Sequence, residues 1–353
     1  MTKEVTINKF QTIQMIKNRN VYPKCLAKQH PKGVYATHDG YIRPCCFLHR
    51  HNRIEKELPW LLDKDTNINH TKSLTAIFNK KEYKQFFNDL LHNNNVPEKC
   101  YEICGSEESS DYDTRKEKYL NDEQKIYNQK RDVEYHSEYV VPTNMQLDVT
   151  HRCSLLCPRC ARVTTIIDGE PAYRSMTKLD VSLETIKIMT EEHHFNFFDF
   201  TGSFGDCIYH PEFLEIVKLL KSKEIEIKFH TNGSRKSKAW WKQLYEVMDP
   251  EYDRIVFGVD GLKDTAHIYR VNIDFDSVIE AMTLGVEYGF KKNQWMYIVF
   301  KHNEHQIEQA KQFAQQIGID FLIMKSHRWD GPNDPLMPSA KWLPESVIQE
   351  YNL

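Results

Sequence analysis

From Met145 onward the chain alternates short β-branched and aromatic runs with stretches at helical spacing, and this alternation narrows the available folds most. Six strands are expected, over residues 145–150, 197–201, 225–230, 254–259, 295–300 and 319–324. The intervals between them suit the crossover helices that parallel strands require. Two of those helices reveal a buried face: Phe213, Ile216, Val217 and Leu220 recur at helical spacing, as do Ile307, Ala310, Phe313, Ala314 and Ile317. The expected class is α/β, either an open doubly wound sheet or a partial (βα)6 barrel, and in both of these ligands gather at the carboxyl ends of the strands.

At roughly 100 to 200 residues per domain, 353 residues allow two domains. Residues 106–140 supply the boundary, because they are dense in charge and poor in aliphatics, and so bury little. The expected division is a cysteine-rich module over 1–105, a charged linker over 106–140, a βα core over 141–330 and a tail over 331–353. Hydrophobic residues at 40% and charged residues at 27% are an ordinary soluble balance, and no run approaches the ~18 apolar residues of a membrane span. The first twenty residues mix Lys3, Glu4, Lys9, Lys17 and Arg19 among apolar ones, unlike a secretory leader, so a cytoplasmic location is expected. A net charge of -3 offers no broad field for phosphate backbones, and no nucleic-acid partner is expected.

Nine cysteines in a reducing compartment point to metal or catalysis rather than disulfides, and their spacing decides which. Cys153, Cys157 and Cys160 form C-x3-C-x2-C directly after the first βα strand. Thiolates are soft ligands that suit iron-sulfur clusters or zinc. Three ligands on a four-iron cluster leave one iron open for a substrate or cofactor, as at other catalytic metals. Two other readings stand beside this one: a zinc knuckle completed by His151 or a distant residue, and three unrelated core thiols.

The string Leu147 to Cys160 resembles the signature of the radical S-adenosylmethionine superfamily, C-x3-C-x-aromatic-C after the first strand of a partial TIM-like barrel, with Arg159 standing where that family has its aromatic residue. The resemblance spans about 145–324 and implies a [4Fe-4S] cluster on Cys153, Cys157 and Cys160. The open iron of that cluster would bind the amino and carboxylate groups of S-adenosyl-L-methionine. One-electron reduction would then give a 5′-deoxyadenosyl radical that takes hydrogen from substrate.

Motifs at later strand ends occur in the order that family requires. Thr201-Gly202-Ser-Phe204-Gly205-Asp206-Cys207 resembles its G-G-E-P loop, which implies that Gly202 and Gly205 allow close approach and that Asp206 accepts from the methionine ammonium. Cys207 reads as a small buried residue. His230-Thr-Asn232-Gly233 is similar to the family's T-N-G, which assigns Asn232 a cofactor contact, although such a string also suits a plain turn. Gly258-Val-Asp260-Gly261 with Tyr269-Arg270 resembles S-x-D-G and its later arginine, which assigns Asp260 to the cofactor site and Arg270 to the cofactor carboxylate. Lys301 to Asn303 and Lys325 to Trp329 would face the same cavity, most of them as ordinary loop residues.

Upstream, Cys25 is followed after fourteen residues by Gly40 and then by Cys45, and Cys100 and Cys104 form C-x3-C. Together with the string His38 to Phe47 and the stretch 73–84, this resembles the twitch and SPASM modules that hold an auxiliary cluster, although those modules usually follow the barrel. The resemblance makes Cys25, Cys45, Cys100 and Cys104 ligands of one auxiliary iron-sulfur cluster and leaves Cys46 spare, in a small α+β module. Four cysteines in two pairs suit structural zinc as well. The expected function is a radical S-adenosylmethionine enzyme acting on a peptide or protein, with a nucleotide or another small molecule as the alternative substrate. A one-electron reductant such as flavodoxin or ferredoxin would serve it. The competing class is a non-catalytic metal-binding protein.

Overall fold

The computed structural model describes residues 33–48, 57–91, 95–104, 144–167, 169–175, 179–193, 195–202, 204–326 and 328–352. Two compact units divide the chain, Met1–Gln146 with Ile188–Phe195 and Leu147–Lys187 with Asn196–Leu353. The described residues of the 331–352 stretch fall within the second of these units. The expected linker, 106–140, lies outside the described residues.

In the first unit, strands β1 (Gly33–Ala36) and β2 (Ile42–Arg43) pair antiparallel, with Tyr35 opposite Arg43 and Ala36 opposite Ile42. Their connection turns at Gly40, whose φ of 89° is left-handed, and Ile68 N donates to its carbonyl at 2.8 Å. Helix α1 (Lys81–Leu91) buries Tyr83, Phe86, Phe87 and Leu90, a stripe at i, i+3, i+4 and i+7. Trp60 packs edge-on to Tyr83, 4.9 Å between ring centres.

Strand β3 (Asn144–Leu147) leads into the cysteine loop, which the hairpin of β4 (Ile166–Ile167) and β5 (Glu170–Pro171) follows. Then come α2 (Leu183–Glu192), β6 (Phe197–Phe200), α3 (Phe213–Lys221), β7 (Glu226–Thr231), α4 (Lys238–Val247) and β8 (Arg254–Gly258). Helix α5 (Phe275–Glu287), β9 (Gln294–Val299), α6 (Ile307–Ile317) and β10 (Asp320–Lys325) complete the alternation. The six expected strands are all present, with ends displaced by at most three residues.

Within the second unit the strands run in the order β6-β7-β8-β9-β10, and all four pairs are parallel. Each strand lies beside its predecessor in sequence, whereas a doubly wound sheet reverses order at a switch point. The order therefore decides for a partial barrel, and it is an open one because β10 remains an edge. Alternate residues face the helices and are buried aromatics or aliphatics: Phe198 and Phe200 on β6, Ile227 and Phe229 on β7, Ile255 and Phe257 on β8. Phe213 of α3 sits between two strands, 5.5 Å from the Phe200 ring and 5.4 Å from that of Phe229. The opposite parity faces the barrel interior, where an Asp199–Lys228 ion pair spans β6 and β7 at 3.0 Å with His230 two residues further along.

Candidate active site

Three devices shape the cysteine loop. Arg152 grips Asp180 through Nε and Nη2 at 2.8–3.0 Å, and Thr150 Oγ1 donates to the same carboxylate at 2.6 Å. The loop after β6 then closes on the cysteine loop, with Asp206 N donating to Arg152 O at 2.8 Å. Only glycine permits that closure, since a Cβ on Gly205 would lie 1.9 Å from Thr150 O and one on Gly202 2.4 Å from Gly205 O. Tyr209 supplies the third device, because its hydroxyl meets Ser154 Oγ at 2.6 Å and donates to Ser234 O at 2.5 Å, tying the cysteine loop to the turn after β7.

Cys153, Cys157 and Cys160 line one cavity of about 910 Å³ at the carboxyl ends of the strands, together with Gly202, Gly205, Asp206, Asn232, Gly258 and Arg270. Among the described residues no three His, Cys, Asp or Glu side chains converge closely enough to hold a single ion, so what the three thiols share is a cavity wall. Cys153 Sγ accepts from Leu155 N at 3.4 Å and from Asn232 Nδ2 at 3.5 Å. Burial pushes the Cys153 thiol up to about 12, and burial raises Cys157 as well. Thiolates so enclosed need positive charge beside them, which a bound metal supplies. Arg162 and Arg328 also line the cavity and bond neutral oxygens, Leu155 O and Tyr269 Oη, each at 3.0 Å. Their charges are left to the thiolates.

Three of the expected cofactor contacts, Asp206, Asn232 and Asp260, also make hydrogen bonds within the chain. Asp206 lines the cavity; its Oδ2 accepts from Thr231 Oγ1 at 3.0 Å, Asn232 N at 2.7 Å and Asn232 Nδ2 at 2.5 Å, while Oδ1 accepts from Ile208 N at 3.3 Å. Burial raises its carboxyl to about 6 against those hydrogen bonds. Asn232 Oδ1 accepts from Ser234 N at 2.9 Å and lies 3.3 Å from the Tyr209 hydroxyl oxygen. Asp260 sits behind the cavity wall, where it receives Arg270 Nε at 2.5 Å and Ile298 N at 2.8 Å. Asp206 and Asn232 line the cavity, whereas Asp260 acts on it through Arg270. Arg270 itself reaches the cavity across Gly258, where a Cβ would come within 2.8 Å of its Nη2.

Sequence reasoning missed His230 and Arg162 as site residues. His230 lines the cavity with a buried Nε2 that has no hydrogen-bond partner among the described residues, and burial pushes its imidazole down to about 4. Strand parity, which places it on the same face as Lys228, is the signal that would have found it. Of the loops expected to face the cavity, Arg328 and Trp329 do so. Asn303 is instead a buried brace, donating to Asp260 O and Ile298 O and accepting from Phe300 N. Cys207 is buried, as expected.

Among the upstream cysteines, Cys25 lies outside the described residues, as does the side chain of Cys104. Cys45 and Cys46 stand at the start of the short turn Cys46–Leu48, against which the helix Glu98–Cys104 packs, so the two cysteine clusters are neighbours within the first unit. The Cys46 thiol beside it, together with burial, raises the Cys45 thiol.

A partial barrel whose strand ends set three thiols, two neutral-bonded guanidinium groups and glycine-closed loops around one cavity defines a βα protein built for a metal cofactor, and that donor set fits an iron-sulfur cluster. Residues 147–314 match the family model of the Radical SAM superfamily. No curated protein matches the chain. Similar solved structures include Streptococcus suis SuiB bound to S-adenosylmethionine, at 15% identity and a TM-score of 0.44 over 76% of this chain and 61% of that one. SuiB bound to its precursor peptide SuiA gives 15% and 0.43 over 86% and 62%, and TYW1 with a lysine-pyruvate adduct 12% and 0.35 over 53% and 67%. The chain thus spans about three fifths of the length of the SuiB chains.

Proposed function

We propose that the chain is a radical S-adenosylmethionine enzyme that acts in the cytoplasm on a peptide or protein, with flavodoxin or ferredoxin as electron donor. The observation that carries this reading is the placement of Cys153, Cys157 and Cys160 on one cavity wall with Arg270 reaching in across Gly258. Cys153, Cys157 and Cys160 would hold a [4Fe-4S] cluster, which would supply the electron for reductive cleavage of S-adenosylmethionine. The chain's own residues orient and shield. Arg270, held through Nε by Asp260, presents its Nη groups to the cofactor carboxylate. Asp206 and Asn232 fix the cysteine loop against the β7 turn, and Asn232 donates to the Cys153 sulfur.

The auxiliary site belongs to the same proposal. Cys25, Cys45, Cys100 and Cys104 hold a second cluster, a reading supported by the packing of Glu98–Cys104 on the Cys46–Leu48 turn. The preference for a peptide follows from the twitch and SPASM resemblance of this module.

Anaerobic reconstitution is expected to load about eight irons, from two four-iron clusters, and reduction with S-adenosylmethionine to release 5′-deoxyadenosine. Replacing Cys153, Cys157 and Cys160 together by Ala should abolish that release and leave about four irons in place. Stoichiometric zinc in the wild-type protein, without cofactor cleavage, would overturn the proposal.

A further inference from the structure

Arg159 lies between two of the three cavity thiols in sequence, and its guanidinium reaches a segment far along the chain. Its Nη1 meets Asp330 at 2.7 Å and its Nη2 meets Asp334 at 2.5 Å. The two partners differ. The Asp330 carboxylate is 75% exposed, while that of Asp334 is 2% exposed and also accepts from Asp330 N at 2.8 Å and Leu336 N at 2.9 Å. Burial works to raise the Asp334 carboxyl, yet those backbone donors and Arg159 hold it below the usual carboxylate range.

The segment so gripped is part of the wall around the thiols. Leu336 shares a buried apolar cluster with Leu155, Cys157, Tyr269, Ile298 and Phe300, and Trp329, Cys153 and Cys160 pack against that cluster. Arg328, Trp329 and Asp330 line the cavity itself. Further along, Ser339 N donates to Glu304 at 2.8 Å, and Trp329 rests edge-on to Tyr351 with ring centres 6.3 Å apart. Residues 328–336 lie beyond the 147–314 span that matches the family.

We infer that Arg159 is a positioning residue that latches residues 328–336 across the three thiols, fixing one wall of the cofactor cavity and keeping water and oxygen from the cluster. An exposed ion pair alone does little. Here the acceptor is buried, so removing the guanidinium leaves an uncompensated carboxylate inside the wall, which the segment relieves by letting go. The inference rests on the proposed cluster at Cys153, Cys157 and Cys160.

The test compares full-length wild type, Arg159→Met, Arg159→Lys and the exchange of Arg159→Asp with Asp334→Arg, all reconstituted anaerobically. Two readouts are followed: the decay of cluster absorbance in air-equilibrated buffer, and the change in the EPR spectrum of the reduced cluster when S-adenosylmethionine is added. Arg159→Met is expected to load iron as wild type does but to lose it about tenfold faster in air, with a weakened EPR response. Arg159→Lys and the exchange should each recover part of the lifetime. Should Arg159→Met fail to fold, Asp330→Asn severs only the solvent-facing arm and is expected to hasten loss about twofold. Wild-type lifetime and EPR response in Arg159→Met, or in Asp330→Asn if only that variant folds, would overturn the latch alone. A wild-type protein that binds no iron would overturn the cluster and the latch together.

Discussion

His230 illustrates what a single side chain contributes and what sequence reading sees of it. In the sequence it is the residue before a Thr-Asn-Gly turn; in the fold it lines the cavity, and its imidazole is held neutral. Burial is the main cause of a pKa near 4, the charges of Lys228 and Arg254 act in the same direction, and Asp199 opposes them. The folded value lies below the unfolded value of about 6.5, so between the two only the unfolded chain takes up the proton. His230 therefore contributes stability that is complete above about pH 6.5 and is lost as pH falls toward 4, an effect of up to about 3 kcal/mol. Replacing His230 by Asn should flatten the fall of Tm between pH 6.5 and 4, which thermal melts across that range measure. His210 and His302 are also lowered by burial, so part of the slope should persist. A variant that keeps the full wild-type slope would assign the acid loss to those residues.

At the scale of elements, the strands and helix faces were legible because burial writes a period into the chain. Phe213, Ile216, Val217 and Leu220 are all buried in α3, as their spacing requires. Strand order leaves no such mark, so only the structure separates a partial barrel from a doubly wound sheet. The candidate site divides in the same way. The thiol spacing and the glycines could be read, but the hydrogen bonds that Asp206 accepts could not, because their donors come from β7 and the turn beyond it. The contact between the loops after β3 and β6 gives the clearest prediction at this scale. A Cβ at Gly205 would lie 1.9 Å from Thr150 O, a backbone atom that cannot swing aside, so Gly205→Ala must push the two loops apart. The expected cost is about 2 to 3 kcal/mol, read as a lower urea midpoint at unchanged m-value. Iron retention in the cysteine loop should fall with it, since Asp206 N would no longer reach Arg152 O.

The whole molecule combines a chemical core with a second cysteine set, and the two sets can be counted separately. Cys153, Cys157 and Cys160 belong to one compact unit, Cys45 and Cys100 to the other. If each unit carries its own four-iron cluster, replacing Cys45, Cys100 and Cys104 by Ser should lower the iron content from about eight to about four while reductive release of 5′-deoxyadenosine continues. If the upstream set holds zinc, the same variant should lose one zinc per chain and keep all its iron. Iron and zinc analysis on one sample separates the two cases, and the cleavage assay reports whether the core still works. Loss of cleavage together with all iron would mean that the two sites do not load independently, contradicting the two-cluster proposal. The residue-by-residue pattern of the upstream set admits either metal, because thiolate spacing describes ligands and not the ion they hold. The metal count is the quantity that turns the first unit from a structural module into part of the enzyme's redox chemistry.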